Sequence, residues 1–488
     1  MGKKQKKPKS LNEEKELAET VDNLLAITTL PIQNNIVQAL ECQKKISSLL
    51  VRTQFLEDKL LKKQNKFSKN DSKTVHPDKT TIDTFLKWLK EHGAELNGCS
   101  VAHFEGYDLG IKAEQDIPQS SLVIVVPREL MISVETAQKG VAEDLIEKVE
   151  ILKSMPNVLL AIGLLIEKFT DNSFWKPYID VLPKTYHTVL YFTINELEEL
   201  KGSPTLEVAL KQIKSIARQY AYFHRLFNRS ENSVNQLMRG RFTFNEYCWA
   251  VSTVMTRQNM IPSSDGSAMI NALIPLWDLC NHSNGTISTA YNPELNRSEC
   301  LAFKDFKANE QLFIFYGART NADFFIHNGF VYEENENDTY WIRLGISKSD
   351  PLEEQRRKLL EKLKIFHLSE FPIKAQSFPV NECLLGFLRI FQMDSDQLNH
   401  WINSDRTADL LHWECALDTS LEIKVWTFLK TRLSLLLASY KTKLEEDEKL
   451  LLHGQNLSEN TKLAIRMRIT EKRLLRGCLE YVEQMVKK

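Results

Sequence analysis

The period of the apolar positions changes along the chain, and the changes mark its elements. Leu24, Leu25, Ile36, Val37, Leu40, Ile46, Leu49 and Leu50 form helical patches in an otherwise polar, lysine-rich stretch. They suffice for one or two helices docked on a larger body. Residues 62–79 are charged and turn-rich and read as a linker. Ile82, Phe85, Leu86 and Leu89 fall at helical spacing, stopped by His92-Gly93. Strand-like pieces follow at 100–104, 110–113 and 122–127. The run Leu122-Val123-Ile124-Val125-Val126 lacks polar alternation and predicts a strand buried on both faces. From about 133 to 249 the pattern is helical, with a strongly apolar helix at 158–169 and helix again through 196–227. A helix over 252–259 is stopped by Ile261-Pro262. Strand character returns at 286–291, 299–306, 311–316 and 340–346. A domain of small strands is thus split by a helical insertion. Beyond Ser349 the chain reads as nearly all helix. Thr419-x-x-Glu422 has the form of a capping box, and Val425, Leu429, Leu433, Leu436, Leu437 and Tyr440 make the stripe of a long helix that Gly454 ends. Leu475, Cys478, Val482 and Met485 give a last amphipathic helix.

The expected organisation is an α+β chain with a polar extension at 1–79, a strand domain at 80–347 and an all-α domain at 348–488. The strand core runs from about 97 to 317, with the insertion at about 133–249. The length of 488 residues accommodates this. Apolar content of 43% and charged content of 26% are those of a soluble globular protein. A formal net charge of −1 supplies no field for nucleic acid, and no apolar run reaches the length of a membrane span. Neither partner is expected, and a monomer is. The start, Met1-Gly2-Lys3-Lys4, is basic with no apolar segment behind it, so a solvated tail is expected rather than a secretory signal. The eight cysteines form no C-x-x-C pair and read as reduced thiols of a cytoplasmic protein, with the nucleus as a second compartment. Cys280-Asn281-His282 lacks a second ligand pair at zinc spacing, so no metal site is expected.

The chain has no G-x-G-x-x-G, P-loop, H-E-x-x-H or G-x-S-x-G, which removes the commonest nucleotide, zinc-protease and hydrolase readings. Two segments remain. Leu273-Ile274-Pro275-Leu276-Trp277-Asp278-Leu279-Cys280-Asn281-His282 sets polar groups directly after an apolar run, and the run 311–316 ends in Tyr316-Gly317-Ala318-Arg319. Polar groups at the mouth of apolar segments are how a buried site is built. Residue by residue, Trp277, Asn281, His282, Tyr316, Arg257, Asn259 and Arg319 each have a plainer reading as core, turn or surface ion pair, and composition does not choose.

Asp278-Leu279-Cys280-Asn281-His282 followed by Tyr316-Gly317 resembles the paired motifs of SET-domain protein methyltransferases. The segment 107–113 looks like that family's first strand turn, with Gly110 kept, and Ser173-Phe174-Trp175-Lys176-Pro177-Tyr178 resembles the insertion of the subgroup related to Rubisco lysine methyltransferase. The segments 217–223 and 249–259 look like the branch that methylates a histidine of actin. The resemblance implies short twisted sheets with pseudoknot-like threading, S-adenosylmethionine as methyl donor and actin as protein substrate. It assigns the cofactor to Tyr107, Asp108, Leu109, Arg257, Asp278, Leu279, Cys280, Asn281, His282, Asn328, Gly329 and Phe330. Lys79 lies in the neighbourhood of a family arginine that this chain replaces or shifts, and is the implied cofactor contact in its stead. Tyr316 is the implied catalytic tyrosine, and Asn259 the residue that selects an imidazole by hydrogen bonding. Arg218, Trp277 and Arg319 are implied substrate contacts. A lysine methyltransferase of the same subgroup, or a SET-derived binding module with little catalysis, is the alternative.

Overall fold

The computed structural model describes residues 9–31, 35–63, 77–138, 145–146, 149–229, 233–376, 378–415 and 417–487. The basic start, 1–8, and most of the expected linker, 64–76, lie outside these residues. The chain divides into two compact units, Met1–Ile194 with Glu207–Gly317 and Ile326–Gly329, and Asn195–Leu206 with Ala318–Phe325 and Phe330–Lys488.

The first unit opens with two helices, α1 (Lys9–Thr29) and α2 (Ile36–Lys63). Of the apolar patches of the sequence, Leu24, Leu40, Ile46 and Leu50 are buried, while Ile36 and Val37 are exposed. Helix α3 (Lys79–Glu91) starts at Asp78, whose carboxylate accepts from the Thr81 N–H at 2.8 Å, and buries Phe85, Trp88 and Leu89. The strands follow as β1 (Glu95–Leu96), β2 (Cys99–Phe104), β3 (Asp108–Ala113), β4 (Leu122–Pro127) and β5 (Ile132–Ser133). The unalternating run makes β4, buried from Val123 to Val126 at the interior of the sheet β1-β4-β10-β9.

The insertion supplies α4 (Pro156–Phe169), α5 (Lys176–Val181), α6 (Thr205–Phe227) and α7 (Phe244–Arg257). The helix expected through 196–227 is broken, one short turn ending at Glu198 before α6 begins at Thr205. Gly202 at φ +94° and Pro204 account for the break. The helix expected to 259 stops at Arg257. Gln258–Pro262 is instead strand β6, paired antiparallel with β7 (Met269–Leu273), and Asn259 faces Ala272. The remaining strands are β8 (Asn281–His282), β9 (Thr289–Asn292), β10 (Arg297–Leu301) and β11 (Gln311–Ile314). Strand β11 pairs antiparallel with β3 and parallel with β8, setting Phe313 beside Asn281 and Ile314 beside His282. This pairing places the two motif segments side by side.

The second unit is largely helical, with α8 (Glu353–Lys362), α9 (Glu382–Gln392), α10 (Ser395–Asn403), α11 (Thr419–Ala438), α12 (Leu444–His453) and α13 (Glu459–Lys487). It is not wholly so. Strand β12 (Thr339–Arg343) pairs with β13 (Glu370–Lys374) inside the region expected to be helix. Phe371 and Ile373 point in while Glu370 and Lys374 point out, so a period of two overrides the helical surroundings. The cap of α11 is Asp418, not Thr419, and accepts from the Ser420 N–H at 2.9 Å. The stripe Val425, Leu429 and Leu433 is buried, but the helix ends at Ala438 and Gly454 terminates α12 instead. Asp447, fully buried, holds Arg468 at 2.8 Å and Lys472 at 2.6 Å.

Candidate active site

Three strands of the first unit fix one amide. The Asn281 side-chain amide donates to the Leu109 carbonyl at 3.1 Å and to Gln311 Oε1 at 2.8 Å, tying β8 to β3 and β11. Gly110 makes this approach possible. A Cβ there would lie 2.9 Å from both Gln311 Oε1 and the Phe104 ring, close enough that one must shift, and a tight 3.1 Å from Asn281 Nδ2. His282, 4% exposed, accepts the Tyr316 backbone N–H on Nδ1 at 3.2 Å. A neutral ring that accepts on Nδ1 carries its proton on Nε2. The Tyr316 hydroxyl donates to the Cys280 carbonyl at 2.7 Å, and the ring centroids of Tyr316 and His282 are 5.2 Å apart. Gly317, at φ +97°, turns the chain away after the tyrosine.

The segment before Asn281 is held by a strained turn and a buried ion pair. Leu276 has φ 69° and ψ −53°, and the Trp277 N–H bonds the Pro275 carbonyl at 2.8 Å. This is a γ-turn in a region that L-residues rarely adopt. Trp277 is buried, as are Leu279 and Cys280. The Arg257 guanidinium bonds the Asp278 carbonyl at 2.8 Å and its carboxylate at 3.2 Å. The Tyr178 hydroxyl donates to the same carboxylate at 2.6 Å. Tyr186, bonded to the Thr253 hydroxyl at 2.8 Å, is a further phenol acting on Arg257. Burial raises the Asp278 carboxyl above its usual range, and Arg257 works against that shift. Burial, then the Asp278 carboxylate, pushes the Tyr178 phenol well up. Burial disfavours the Arg257 charge, yet Asp278 and the phenols hold its pKa above the ordinary value.

The other expected residues are placed unevenly. Tyr107 is exposed and sets its ring edge-on to Phe313 at 5.5 Å. Asp108 turns at φ +70° into β3, and Leu109 is buried with its carbonyl on Asn281. The Asn259 amide donates to the Arg257 carbonyl at 3.3 Å, and Asn328 to the Thr256 carbonyl at 3.4 Å. Gly329 packs against the backbone of His187, where a Cβ would stand 2.8 Å from the carbonyl carbon. Lys79 and Arg218 are exposed, and among the described residues no contact ties them to this cluster. Lys79 occupies the first turn of α3, whose cap is Asp78. Arg319 and Phe330 belong to the second unit, where the Arg319 carbonyl accepts from Asn335 at 2.8 Å and Phe330 stacks on Phe324 at 4.7 Å.

Comparison with known proteins sets this geometry in a family. The SET domain family matches residues 108–317, and the Rubisco LSMT substrate-binding family matches 347–475. The actin-histidine N-methyltransferase of Xenopus tropicalis is 42% identical over 399 residues, covering 81% of this chain and 68% of the relative. The chain belongs to the actin-histidine N-methyltransferase family of SET-domain proteins. The family members of Gallus gallus and Homo sapiens are each 42% identical over 394 residues, 80% of this chain. The chain spans 66% of the length of those two relatives. Rubisco LSMT bound to AdoMet superposes with a TM-score of 0.65 at 23% identity, covering 83% of this chain and 92% of that one. The SET domain of LSMT bound to lysine and AdoHcy gives 0.65 at 22%, covering 83% and 91%. These two likenesses show the fold.

Within this actin-histidine N-methyltransferase family member, Tyr178, Tyr186 and Gln311 were not among the expected site residues. Tyr178 reaches Asp278 across 100 residues, and nothing local in the sequence signals it. Arg257, expected among the cofactor contacts, is paired with Asp278, in a pair that holds the 278–282 segment.

Proposed function

We propose that this chain transfers a methyl group from S-adenosylmethionine to the distal ring nitrogen of a histidine in actin. The observation that carries the reading is the Tyr316 hydroxyl held on the Cys280 carbonyl at 2.7 Å, one residue from the Asn281 amide that joins three strands. A phenol and carbonyls fixed in this way line a narrow place for a methyl group. The residues suit the donor. Trp277 Nε1, Asp278 Oδ1 and Gln258 Oε1 are buried with no hydrogen-bond partner among the described residues. Orphaned polar atoms of this kind mark a pocket built for a polar ligand. Tyr107 to Leu109 and Asp278 to His282 would hold the cofactor, which supplies a methyl carbon on a cationic sulfur.

The chain's own work is alignment. Much of the rate of an in-line displacement comes from holding nucleophile and methyl carbon in line. A histidine with an ordinary pKa near 6.5 is mostly neutral at pH 7, so its distal nitrogen attacks without a strong base. That nitrogen gains a bond to carbon while the carbon–sulfur electron pair returns to sulfur, and the proximal N–H loses its proton to solvent. The Asn259 amide, on β6 beside the end of α7, hydrogen-bonds the proximal nitrogen and fixes this tautomer. Trp277 and Tyr316 wall the ring. Actin as the substrate rests on the named relatives. The eight cysteines, all free thiols, suit the cytoplasm as the compartment.

The test is label transfer from S-adenosylmethionine to an actin peptide bearing the histidine. Transfer is expected to the histidine peptide and not to its His→Ala variant. Transfer that survives that variant, or that maps to a lysine by mass spectrometry, overturns the reading in favour of a lysine methyltransferase. Asn259→Phe is expected to shift the histidine-to-lysine preference by roughly tenfold, the worth of one buried hydrogen-bonding group of about 1–3 kcal/mol.

A further inference from the structure

Helix α7 runs from the N-terminal helices to the candidate site, and a buried carboxyl of another helix stands at its start. Its 14 residues span about 20 Å at 1.5 Å per residue. At its far end Thr256 and Arg257 precede β6 with Asn259. At its near end Thr243 caps the helix by accepting the Glu246 N–H at 3.2 Å. The first helical N–H, that of Phe244, is taken by another residue altogether. Glu57 of α2, 4% exposed, accepts it on Oε2 at 3.0 Å and on Oε1 at 3.3 Å. The Tyr220 hydroxyl of α6 donates to the same carboxyl. Beside it, Gln54 of α2 donates to Asn245 at 2.6 Å. Thr53 and Leu56, the neighbours of Glu57 on α2, are also buried.

We propose that Glu57 is a positioning residue for the methyl-transfer site. Through its carboxyl on the first turn of α7, the N-terminal helices hold that helix at the depth and rotation that set Arg257 and Asn259. The proposal rests on the methyltransferase reading above. The route is continuous. Glu57 bonds Phe244, the helix carries the position rigidly, its end carries the cation that pins Asp278, and β6, which follows directly, carries the amide of Asn259.

The chemistry around Glu57 adds a signature that a merely structural anchor would not pass to turnover. The groups acting on it are Tyr220 from α6, the Phe244 N–H of α7 and Asp58 of its own helix. Cys248 of α7 also feels it, and His224 lies with its ring 5.7 Å from that of Tyr220. Among the described residues no lysine or arginine pairs with it. Burial raises its carboxyl to about 8, outweighing the two donors. The neutral form therefore fits this place, and ionisation above pH 8 loosens it.

The experiment compares full-length wild type, Glu57→Ala and Glu57→Gln in label transfer to the actin peptide from pH 6.5 to 9, well below each melting temperature. Expected are a fall of at least fivefold in kcat and a weakened histidine-over-lysine preference in Glu57→Ala. Glu57→Gln, which keeps an acceptor for Phe244, should stay within twofold at pH 7. Wild-type turnover should fall through pH 8, and Glu57→Gln should lack that limb. A Glu57→Ala protein with a lower melting temperature but wild-type kcat and preference overturns the proposal. So does an alkaline limb that persists in Glu57→Gln. Should Glu57→Ala fail to fold, the Glu57→Gln pH profile decides alone. A wild type that transfers no label refutes the activity and leaves this proposal to hydrogen exchange. With rates divided by the intrinsic amide rate at each pH, lower protection over residues 254–260 in Glu57→Gln than in wild type at pH 9, or wild-type protection that does not fall above pH 8, then overturns it.

Discussion

Breaking the Arg257–Asp278 pair from its two sides should give two different proteins. The side chains are 15% and 1% exposed, so neither charge is well screened by water. Removing one partner of a buried pair costs about 3–5 kcal/mol, against about 0–1 for a surface pair. The two survivors differ in what they can do next. In Asp278→Asn the guanidinium remains, and arginine does not deprotonate in proteins. That variant then has no proton to gain or lose at this site, so its own stability carries no titration from it. In Arg257→Met the carboxyl remains, already raised by burial and now without the cation that opposed the rise. It escapes by taking a proton. A carboxyl raised above its unfolded value contributes stability below that unfolded value and loses it as pH rises through the folded value. Arg257→Met should therefore approach wild type as pH falls, while Asp278→Asn does not. The double variant should recover most of the loss, because the amide oxygen introduced by Asp278→Asn still accepts from Tyr178. Urea unfolding followed by tryptophan fluorescence at pH 5 and pH 8 reads all four proteins. Singles that cost under 1 kcal/mol, the surface-pair value, refute the strut. Titration of the double variant with S-adenosylmethionine then separates holding the segment from touching the cofactor. Recovered stability with recovered binding is the expected result.

Further outcomes follow from single groups. Tyr316→Phe removes the donor from the Cys280 carbonyl and should lower kcat roughly 10²-fold, the scale of a lost alignment, with the KM for peptide little changed in steady-state kinetics. At Leu276, held at φ 69°, glycine should be the better truncation. Leu276→Gly should unfold about 1 kcal/mol later than Leu276→Ala in urea, the reverse of the order at an ordinary site, because only glycine is at ease there. In the second unit, Glu471 is fully enclosed by Ser203, Thr205 and Tyr440, each donating at 2.8 Å, and burial raises it to about 7. Its folded value lies above the unfolded one, so it stabilises below pH 4.5 and loses that contribution as pH rises through 7. The loss is on the order of 3 kcal/mol at about 1.4 per pH unit, and Glu471→Gln should flatten that limb in urea midpoints measured from pH 4.5 to 8.

What the sequence reveals depends on whether an element is specified locally. Strand β4 is legible because Val123 to Val126 are apolar without interruption, and α4 because its stripe closes on all sides. The hairpin of β6 and β7 is not legible. Gln258-Asn259-Met260 carries no apolar alternation, and only its pairing with Ala272 and Asn271 makes it a strand. That misreading bears on function, since it sets Asn259 on a helix instead of on an edge beside the end of one. The site divides in the same way. Asn281, His282 and Tyr316 can be picked out through a resemblance, and β8 with β11 then brings them together. What holds them is written elsewhere in the chain. Tyr178 sits 100 residues from Asp278, and Glu57 sits 187 residues from the Phe244 N–H that it accepts. Reacting groups recur as short motifs because one turn must present them together. The groups that fix their position need only be adjacent in space, so any element that packs nearby can supply them, including an N-terminal extension that the sequence offers only as a polar stretch with one or two docked helices.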